Sequence, residues 1–508
     1  MLRIFYPAVI FMLWLPPAPA EENPWKAKVA DVLRRAEADS SPAVLREAFD
    51  TVWRADDWLA GLRLATRVLG EPRLVDELRP LVVRALWRAG RIEQAEELAA
   101  SLDAATSDRV TLRVLIELHL ARGDVEKAER WADRLHGLDA LTAEDLYLIF
   151  AARFSTQRLA DLPALLRRAE RLTDARHGYP ETHLSEAIEG LADFLEAVGP
   201  APLNEVAEYG AAPMPPLVMF NLPSCDVWIN GRGPYRMVVD TGGSIMIALD
   251  EQVAAEIGLK SVAKASVRGV SGRTETGQAL IEDLRIGSIR CRRVVTRIFD
   301  VRGAIMNAAD GIVGTGIFGE ARMTLDFAAG QLAVARSGPE AAAGVPVSLR
   351  VVADAKLVAP VRMEDEPALA LLDTGADVVA VAPSRLRLLF PDRKVQTFRP
   401  GVAVGVGSDQ APSVSLGSGV RLTFGGRTYA NYGGVGLDVL DEILGPVLGV
   451  QSDILLGMPT FRDMRTCTVD FPTSRMWIDW LDRPSPPAAT PEAQRESAED
   501  ATQPNRKP

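Results

Sequence analysis

The chain has 508 residues, of which 47% are apolar and 25% are charged, and its formal net charge at pH 7 is −11. This length predicts about three domains, and the composition is typical of soluble globular proteins. The negative charge argues against a nucleic-acid backbone or an anionic membrane surface as the main partner.

The first 20 residues have the pattern of a secretory signal peptide. Arg3 precedes an apolar run from Ile4 to Leu15, and the small-residue cleavage pattern Ala18-Pro19-Ala20 follows it. As a helix, the apolar run would span only ~18 Å, which is less than the ~30 Å of a bilayer core. We therefore predict cleavage after Ala20 and export to the periplasm or the exterior of a bacterial cell. An uncleaved membrane anchor is the alternative.

Residues 21–200 are predicted to form an all-α domain, because apolar residues recur there at helical spacing. Two stretches align with each other, AGRIEQAEELA at 89–99 and RGDVEKAERWA at 122–132. This echo resembles tetratricopeptide repeats, in which small residues let paired helices approach closely. The resemblance implies a helical-repeat surface that binds a protein partner. A plain helical bundle is the alternative.

The pattern changes from helical to β after this region. Residues 197–216 read as a linker because they are rich in Pro, Gly and Ala. Short runs of Val, Ile and Leu then alternate with Gly-containing turns, which predicts strands and hairpins. A second linker at 335–346 separates two all-β lobes, residues 217–335 and 346–481. Residues 482–508 are Pro-rich and polar and are predicted to be disordered.

Histidine and cysteine limit the chemistry of the β-rich part. All four histidines precede residue 200, so this part has no internal Ser-His or Cys-His couple and no HExxH zinc motif. Hydrolytic chemistry there must use carboxylates. The cysteines Cys225, Cys291 and Cys467 allow at most one disulfide, with Cys225–Cys291 as its candidate. Three small buried apolar side chains are the favoured interpretation.

Each lobe contains Asp-Thr-Gly directly after an apolar run, in MVVDTGGSIM at 237–246 and in ALLDTGADVV at 370–379. Later in each lobe, two apolar residues, a Gly and a Phe recur in DGIVGTGIF at 310–318 and in DILLGMPTF at 453–461. A single Asp-Thr-Gly can be an ordinary turn after a strand. Two copies with the same companions in the same order indicate a duplicated lobe.

This pattern resembles the aspartic peptidases, and in detail their retroviral-type branch, over about residues 217–480. The resemblance implies two acid-protease barrel lobes that meet at a twofold axis, each with one Asp-Thr-Gly loop. The stretch DTGAD at 373–377 looks retroviral. Gly243 and Ala376 stand where pepsin-like loops usually have Ser or Thr.

The resemblance makes Asp240 and Asp373 the candidate catalytic pair. Two carboxylates about 3 Å apart share one proton, so one acts as a base toward water while the other hydrogen-bonds the substrate carbonyl. Which of them carries the proton is left open, because the pair titrates as a unit. Support of this geometry is assigned, on the same resemblance, to Thr241, Gly242, Thr374 and Gly375. The threonines would hydrogen-bond across to the opposite loop, and the glycines would let each loop turn tightly.

Further residues are predicted to bind a peptide. Asp377 matches the retroviral acidic residue that accepts hydrogen bonds from the substrate backbone, and Ser244 takes its place in the first lobe. Two Gly-rich hairpins, 267–273 and 402–408, resemble flaps that close over a peptide, although ordinary Gly-rich turns would look the same. The flap residues predicted to bind substrate are Gly269, Val270, Ser271, Gly272, Gly405, Val406 and Gly407.

Neither Asp-Thr-Gly loop has a Ser or Thr directly after its Gly, and this absence predicts the pH range of activity. A Ser or Thr after the Gly can hydrogen-bond the ionised Asp and lower its pKa. With Gly243 and Ala376 in these places, we expect activity at weakly acidic or near-neutral pH instead of a strongly acidic optimum.

The leading hypothesis is an exported aspartic endopeptidase without a cofactor or metal, whose helical domain recruits a partner or the substrate. After signal cleavage we expect no stable membrane insertion. One alternative is a catalytically silent scaffold that only binds peptide, and another is a protease held inactive by its helical part until it is processed. The intact pair of motifs favours the enzyme.

Overall fold

The computed structural model has a helical N-terminal region followed by β lobes. It describes residues 8–9, 23–102, 107–180, 190–217, 220–243, 246–269, 272–352, 355–390, 398–404, 411–415, 420–432, 434–437, 440–441 and 449–482. Apart from the two-residue strand β1 (Ala8–Val9), the predicted signal peptide lies outside these residues. The predicted disordered tail lies outside them from residue 483 onward.

Most of the described helices of the N-terminal region pack against the next helix in the chain. They are α1 (Lys26–Ala38), α2 (Pro42–Arg54), α3 (Trp58–Leu69), α4 (Pro72–Arg88), α5 (Ile92–Ala99), α6 (Arg109–Ala121), α7 (Val125–His136), α8 (Ala143–Ser155), α9 (Leu162–Leu172) and α10 (Leu191–Val198). Their first turns carry the expected signals: Asp57 and Asp108 accept backbone N–H bonds at the starts of α3 and α6, and Thr142 forms a capping box with Asp145 at α8. None of the helices in the described ranges combines the length and the apolar character that a membrane span requires.

The two aligned stretches of the sequence occupy equivalent places in this array. Gly90 ends the turn between α4 and α5, and Gly123 ends the turn between α6 and α7, with φ values of +71° and +75°. Both glycines lie against lobe 2: a Cβ on Gly90 would be 2.7 Å from the Gln451 carbonyl oxygen, and one on Gly123 would be 2.6 Å from that of Pro472. The repeated glycines therefore serve left-handed turns that touch the neighbouring lobe.

The first lobe is a sheet whose described strands run in the order β2-β9-β6-β10-β5-β4-β8-β7. Their bounds are β2 (Glu205–Glu208), β4 (Ser224–Ile229), β5 (Arg232–Asp240), β6 (Ile247–Asp250), β7 (Ala263–Gly269), β8 (Gly272–Ile286), β9 (Ile289–Phe299) and β10 (Gly311–Gly314). Helices α11 (Glu251–Ile257) and α12 (Val301–Ala304) follow β6 and β9. Strand β10 pairs in parallel with β5, which places Gly314 beside Asp240.

The second lobe repeats this arrangement. Its described strands are β14 (Arg350–Val352), β15 (Lys356–Met363), β16 (Glu366–Leu372), β17 (Val379–Val381), β18 (Phe398–Val404), β19 (Ala411–Ser415), β20 (Val420–Phe424), β21 (Arg427–Tyr432), β22 (Val435–Gly436) and β23 (Ile454–Leu456). Helices α13 (Pro383–Leu389) and α14 (Met458–Phe461) follow β17 and β23. Strand β23 pairs in parallel with β16, as β10 does with β5, and strand β1 joins the edge at β18.

A third sheet joins the lobes, in the order β13-β25-β24-β11-β12-β3. Its strands are β3 (Gly210–Pro213), β11 (Ala321–Asp326) and β12 (Gln331–Arg336) from the first half and β13 (Val345–Ser348), β24 (Met464–Asp470) and β25 (Arg475–Trp480) from the second. At its centre β11 and β24 run antiparallel, and Arg322 forms a 2.8 Å ion pair with the buried Asp470 across them. The halves are thus held together by backbone hydrogen bonds.

The helical region packs on both lobes. One apolar cluster contains residues of α1–α6 together with Leu369, Leu371 and Ala380 of lobe 2. A second contains residues of α6–α10 together with Ala263 and Val295 of lobe 1. Shared clusters of this kind make the helices part of the same folded body as the lobes.

Two sequence expectations concern the joints and the cysteines. The linker predicted at 197–216 is wrong in its second half, because residues 205–208 and 210–213 are strands whose partners lie in β9 and β12. The favoured interpretation of the cysteines is confirmed: Cys225, Cys291 and Cys467 are free and buried.

Candidate active site

The two Asp-Thr-Gly loops begin at matching strand ends. Asp240 is the last residue of β5, and Asp373 follows the last residue of β16. Both side chains are fully buried. Since each strand is sandwiched in its sheet between an antiparallel hairpin partner and a parallel strand, the backbone at both aspartates is fixed on two sides.

Four hydrogen bonds tie the loops to each other. The amide of Thr241 donates to Oγ1 of Thr374, and the amide of Thr374 donates to Oγ1 of Thr241, both at 3.0 Å. The hydroxyl of Thr241 then donates to the Leu372 carbonyl at 3.0 Å, and that of Thr374 donates to the Val239 carbonyl at 2.8 Å. Each hydroxyl thus donates and accepts across the lobe boundary, which fixes the distance between the loops.

The glycines of the loops lie under the opposite carboxyl groups. A Cβ on Gly242 would stand 2.3 Å from Cγ of Asp373, and one on Gly375 would stand 2.6 Å from Cγ of Asp240. No side chain fits at such distances. The two glycines are therefore required for the carboxyl groups to meet.

The two carboxyl groups are close enough to share a hydrogen bond. One oxygen of each accepts a backbone N–H at 2.8 Å: Oδ1 of Asp240 from Gly243, and Oδ1 of Asp373 from Gly375. The other oxygen of each, Oδ2, is buried and meets no hydrogen-bond donor among the described residues. These two oxygens are available for the proton that the pair shares and for a water molecule or a substrate atom.

Burial dominates the electrostatics of the pair. It raises the pKa of Asp240 to about 6, against the charge of Lys356 and the backbone N–H bonds, which lower it. Burial also raises the pKa of Asp373 well above its usual range, and the neighbouring Asp240 raises it further. Such a pair holds one proton over a broad pH range.

A family model matches both lobes. A family model described as aspartyl protease matches residues 225–319 and 359–460, one segment in each lobe and each with its Asp-Thr-Gly. The two lobes match the aspartyl protease family. Among solved structures, a retropepsin-like aspartic protease from Rickettsia conorii matches with 18% identity and a TM-score of 0.18, covering 28% of this chain and 97% of that chain. No curated protein matches the chain.

The structure describes some of the other predicted site residues of the two lobes. Asp377 is half-buried, and its charge acts on the Arg462 guanidinium. Strands β7 and β8 pair as a hairpin up to Gly269 and Gly272. The predicted residues that lie outside the described part of the chain are Ser244, Val270, Ser271, Gly405, Val406 and Gly407.

One residue near the pair was missed by the sequence reasoning. Lys356, at the start of β15, is 3% exposed, and its Nζ donates to the Gly243 carbonyl at 2.8 Å. The only sequence signal is a lysine directly before the apolar run at 357–361, ahead of the second Asp-Thr-Gly. Among the described residues, no group of three or more His, Cys, Asp or Glu side chains is arranged to hold a metal ion.

Proposed function

We propose that this protein is an aspartic endopeptidase that hydrolyses peptide bonds with Asp240 and Asp373. The observation that carries the proposal is the meeting of two buried carboxyl groups, one from each lobe, whose Oδ2 atoms have no donor among the described residues. The family match of both lobes supports the same reaction class. A peptide or protein is the substrate that this class implies.

The proposed reaction needs one proton on the pair. The ionised carboxylate takes a proton from a water molecule as the water oxygen bonds to the peptide carbonyl carbon, and the protonated carboxyl gives its proton to the carbonyl oxygen. The tetrahedral intermediate then collapses: the C–N bond breaks, and the leaving nitrogen receives a proton from one carboxyl group. A hydroxyl group of the intermediate returns its proton to the other carboxylate as the C=O bond re-forms, so the pair again holds one proton. Water supplies the hydroxyl group that bonds to the carbonyl carbon and the hydrogen that bonds to the leaving nitrogen, so no cofactor is consumed.

Substitution of either aspartate tests the proposal. Asp240→Asn and Asp373→Asn should each lower cleavage of a peptide mixture by several orders of magnitude, because an amide cannot share the proton. The matched control is Asp226→Asn in the first lobe. It removes a surface carboxylate that pairs with Arg236. Mass spectrometry of the products reports cleavage. Full activity in either active-site variant contradicts the proposal, and a wild-type chain that binds peptides without cutting them favours the silent scaffold.

The pH profile of the wild-type chain belongs to the same experiment. The raised pKa values of both aspartates favour activity at weakly acidic to near-neutral pH. A profile that peaks at strongly acidic pH would contradict this part of the proposal.

The proposal has two further parts. The protein is exported, and its helical region recruits a partner. The apolar run before Ala20 supports export, and N-terminal sequencing of the mature protein tests it. Part of the helical surface is occupied by the lobes, so a partner would bind the faces that remain exposed.

A further inference from the structure

A buried cation from one lobe reaches into the aspartate loop of the other. Lys356 belongs to lobe 2, and its Nζ donates to the carbonyl oxygen of Gly243 in lobe 1 at 2.8 Å. The amide of the same Gly243 donates to Oδ1 of Asp240 at 2.8 Å. The ammonium group is therefore separated from the Asp240 carboxyl by a single residue of the loop.

This contact breaks the symmetry of the duplicated lobes. Lys356 lies as far before Asp373 in the sequence as Pro223 lies before Asp240, and proline carries no charge. The carbonyl of Ala376, which corresponds to that of Gly243, accepts instead from the backbone amide of Met458 at 2.7 Å. A cation thus acts on one loop and a neutral amide on the other.

Burial of an ammonium group is costly unless a negative charge lies nearby. Among the described residues, the charge of Lys356 lowers the pKa of both aspartates. It is the strongest of the influences that lower the pKa of Asp240, whereas at Asp373 the Gly375 amide lowers the pKa more than Lys356 does. Each carboxyl group accepts a backbone N–H bond at 2.8 Å, from Gly243 at Asp240 and from Gly375 at Asp373, so these bonds do not distinguish the two aspartates. The difference between the loops is the ammonium group of Lys356 on Gly243, and its positive charge stabilises negative charge on Asp240.

We propose that Lys356 is a positioning residue that makes the two carboxyl groups unequal, so that Asp240 is the ionised base and Asp373 carries the shared proton. The proposal rests on the proposed peptidase function. Lys356 acts through its charge and through the Gly243 carbonyl, without touching the substrate.

The pH dependence of kcat/KM separates this role from a structural one. Lys356→Gln can keep a donor to the Gly243 carbonyl but removes the charge, and Lys356→Arg keeps the charge. We expect the acidic limb of the profile to move up by about one to three pH units in Lys356→Gln, because a neighbouring opposite charge lowers a carboxyl pKa by about that amount. Lys356→Arg should keep the limb near its wild-type position. An equal loss of activity at every pH in Lys356→Gln would overturn the proposal.

A folding defect in Lys356→Gln is also informative. If the lysine neutralises Asp240, then Asp240→Asn in the same chain should restore the midpoint of thermal unfolding. A defect that persists in the double variant means that the lysine is merely structural, which overturns the proposal.

Failure of the peptidase assignment would be seen separately, as a wild-type chain that cleaves nothing at any pH. The pH dependence of the thermal unfolding midpoint then still tests whether Lys356 lowers the pKa of Asp240. Removal of the lysine raises the folded-state pKa of Asp240 further, so the midpoint of Lys356→Gln should fall more steeply than that of the wild type between pH 5 and pH 8. Parallel curves would overturn the proposal.

Discussion

The residues that form the candidate site differ in how far the sequence reveals them. Asp240 and Asp373 could be predicted because the same three letters follow an apolar run in both halves. Lys356 could not, because it has no counterpart in the other half and its acceptor on Gly243 lies 113 residues away in the chain. Comparison of the two halves of the sequence finds the residues that they share. The contact between Lys356 and Gly243 has no counterpart with the halves exchanged, so this comparison does not find it.

At the same scale, Asp373→Asn should stabilise the fold at neutral and higher pH. The folded-state pKa values of both aspartates are raised, so the stability they contribute is present below about pH 4, the ordinary pKa of Asp, and is lost as the pH rises through the folded values, about 6 for Asp240. Asparagine keeps an acceptor for the Gly375 amide and cannot ionise. We expect the thermal midpoint of the variant, relative to wild type, to increase from pH 4 to pH 8. A difference that stays constant over this range would contradict the expectation.

At the scale of elements, local signals predicted the type of most segments and missed those that depend on distant partners. The caps and apolar spacing of α3 and α8 are written in a few consecutive residues. Strands β2 and β3 have weak strand signals of their own and exist because β9 and β12 offer them an edge. Such strands read as linker in a sequence because their pairing energy comes from elsewhere in the chain.

The turn glycines give the prediction at this scale. Gly123→Ala should destabilise the fold more than Gly258→Ala, which is the matched control. Both sites have positive φ, +75° and +71°, and each alanine costs roughly 1–2 kcal/mol for that conformation. A Cβ on Gly258 meets no atom within 4 Å, whereas one on Gly123 meets the Pro472 carbonyl, which adds roughly 1–3 kcal/mol of overpacking.

Chemical denaturation of the two variants measures this difference. If the two alanine substitutions lower the free energy of unfolding by the same amount, the turn between α6 and α7 does not pack closely against lobe 2.

At the scale of the whole molecule, the helical region and the lobes form one body. The prediction from sequence treated residues 21–200 as a separate domain, since amphipathic helices look alike whether their apolar stripe faces another helix or a sheet. The structure adds polar contacts to the shared apolar clusters. Glu96 of α5 binds Arg122 at 2.9 Å and Arg350 of lobe 2 at 2.6 Å, and Ser474 donates to the Ala121 carbonyl at 3.2 Å.

Removal of the helices tests this unity. A chain of residues 201–482 should be poorly soluble or should unfold without a cooperative transition, because it exposes the apolar faces that α1–α6 and α10 cover. A chain of residues 23–482 is the control, since it keeps every helix. Solubility and thermal unfolding by circular dichroism report the outcome. Lobes that stay soluble and melt cooperatively at the temperature of the control would show that the helical region is dispensable for folding.

Covalent fusion of the two halves has a consequence for how this site can evolve. In an enzyme assembled from two identical chains, every substitution appears twice, and a lysine placed beside one aspartate would also appear beside the other. Here a mutation alters one half-site and leaves its sister unchanged, so each side can adapt separately to the part of a ligand it meets. An inhibitor with two identical ends would face unlike walls, and a ligand with different ends would have a preferred direction of binding.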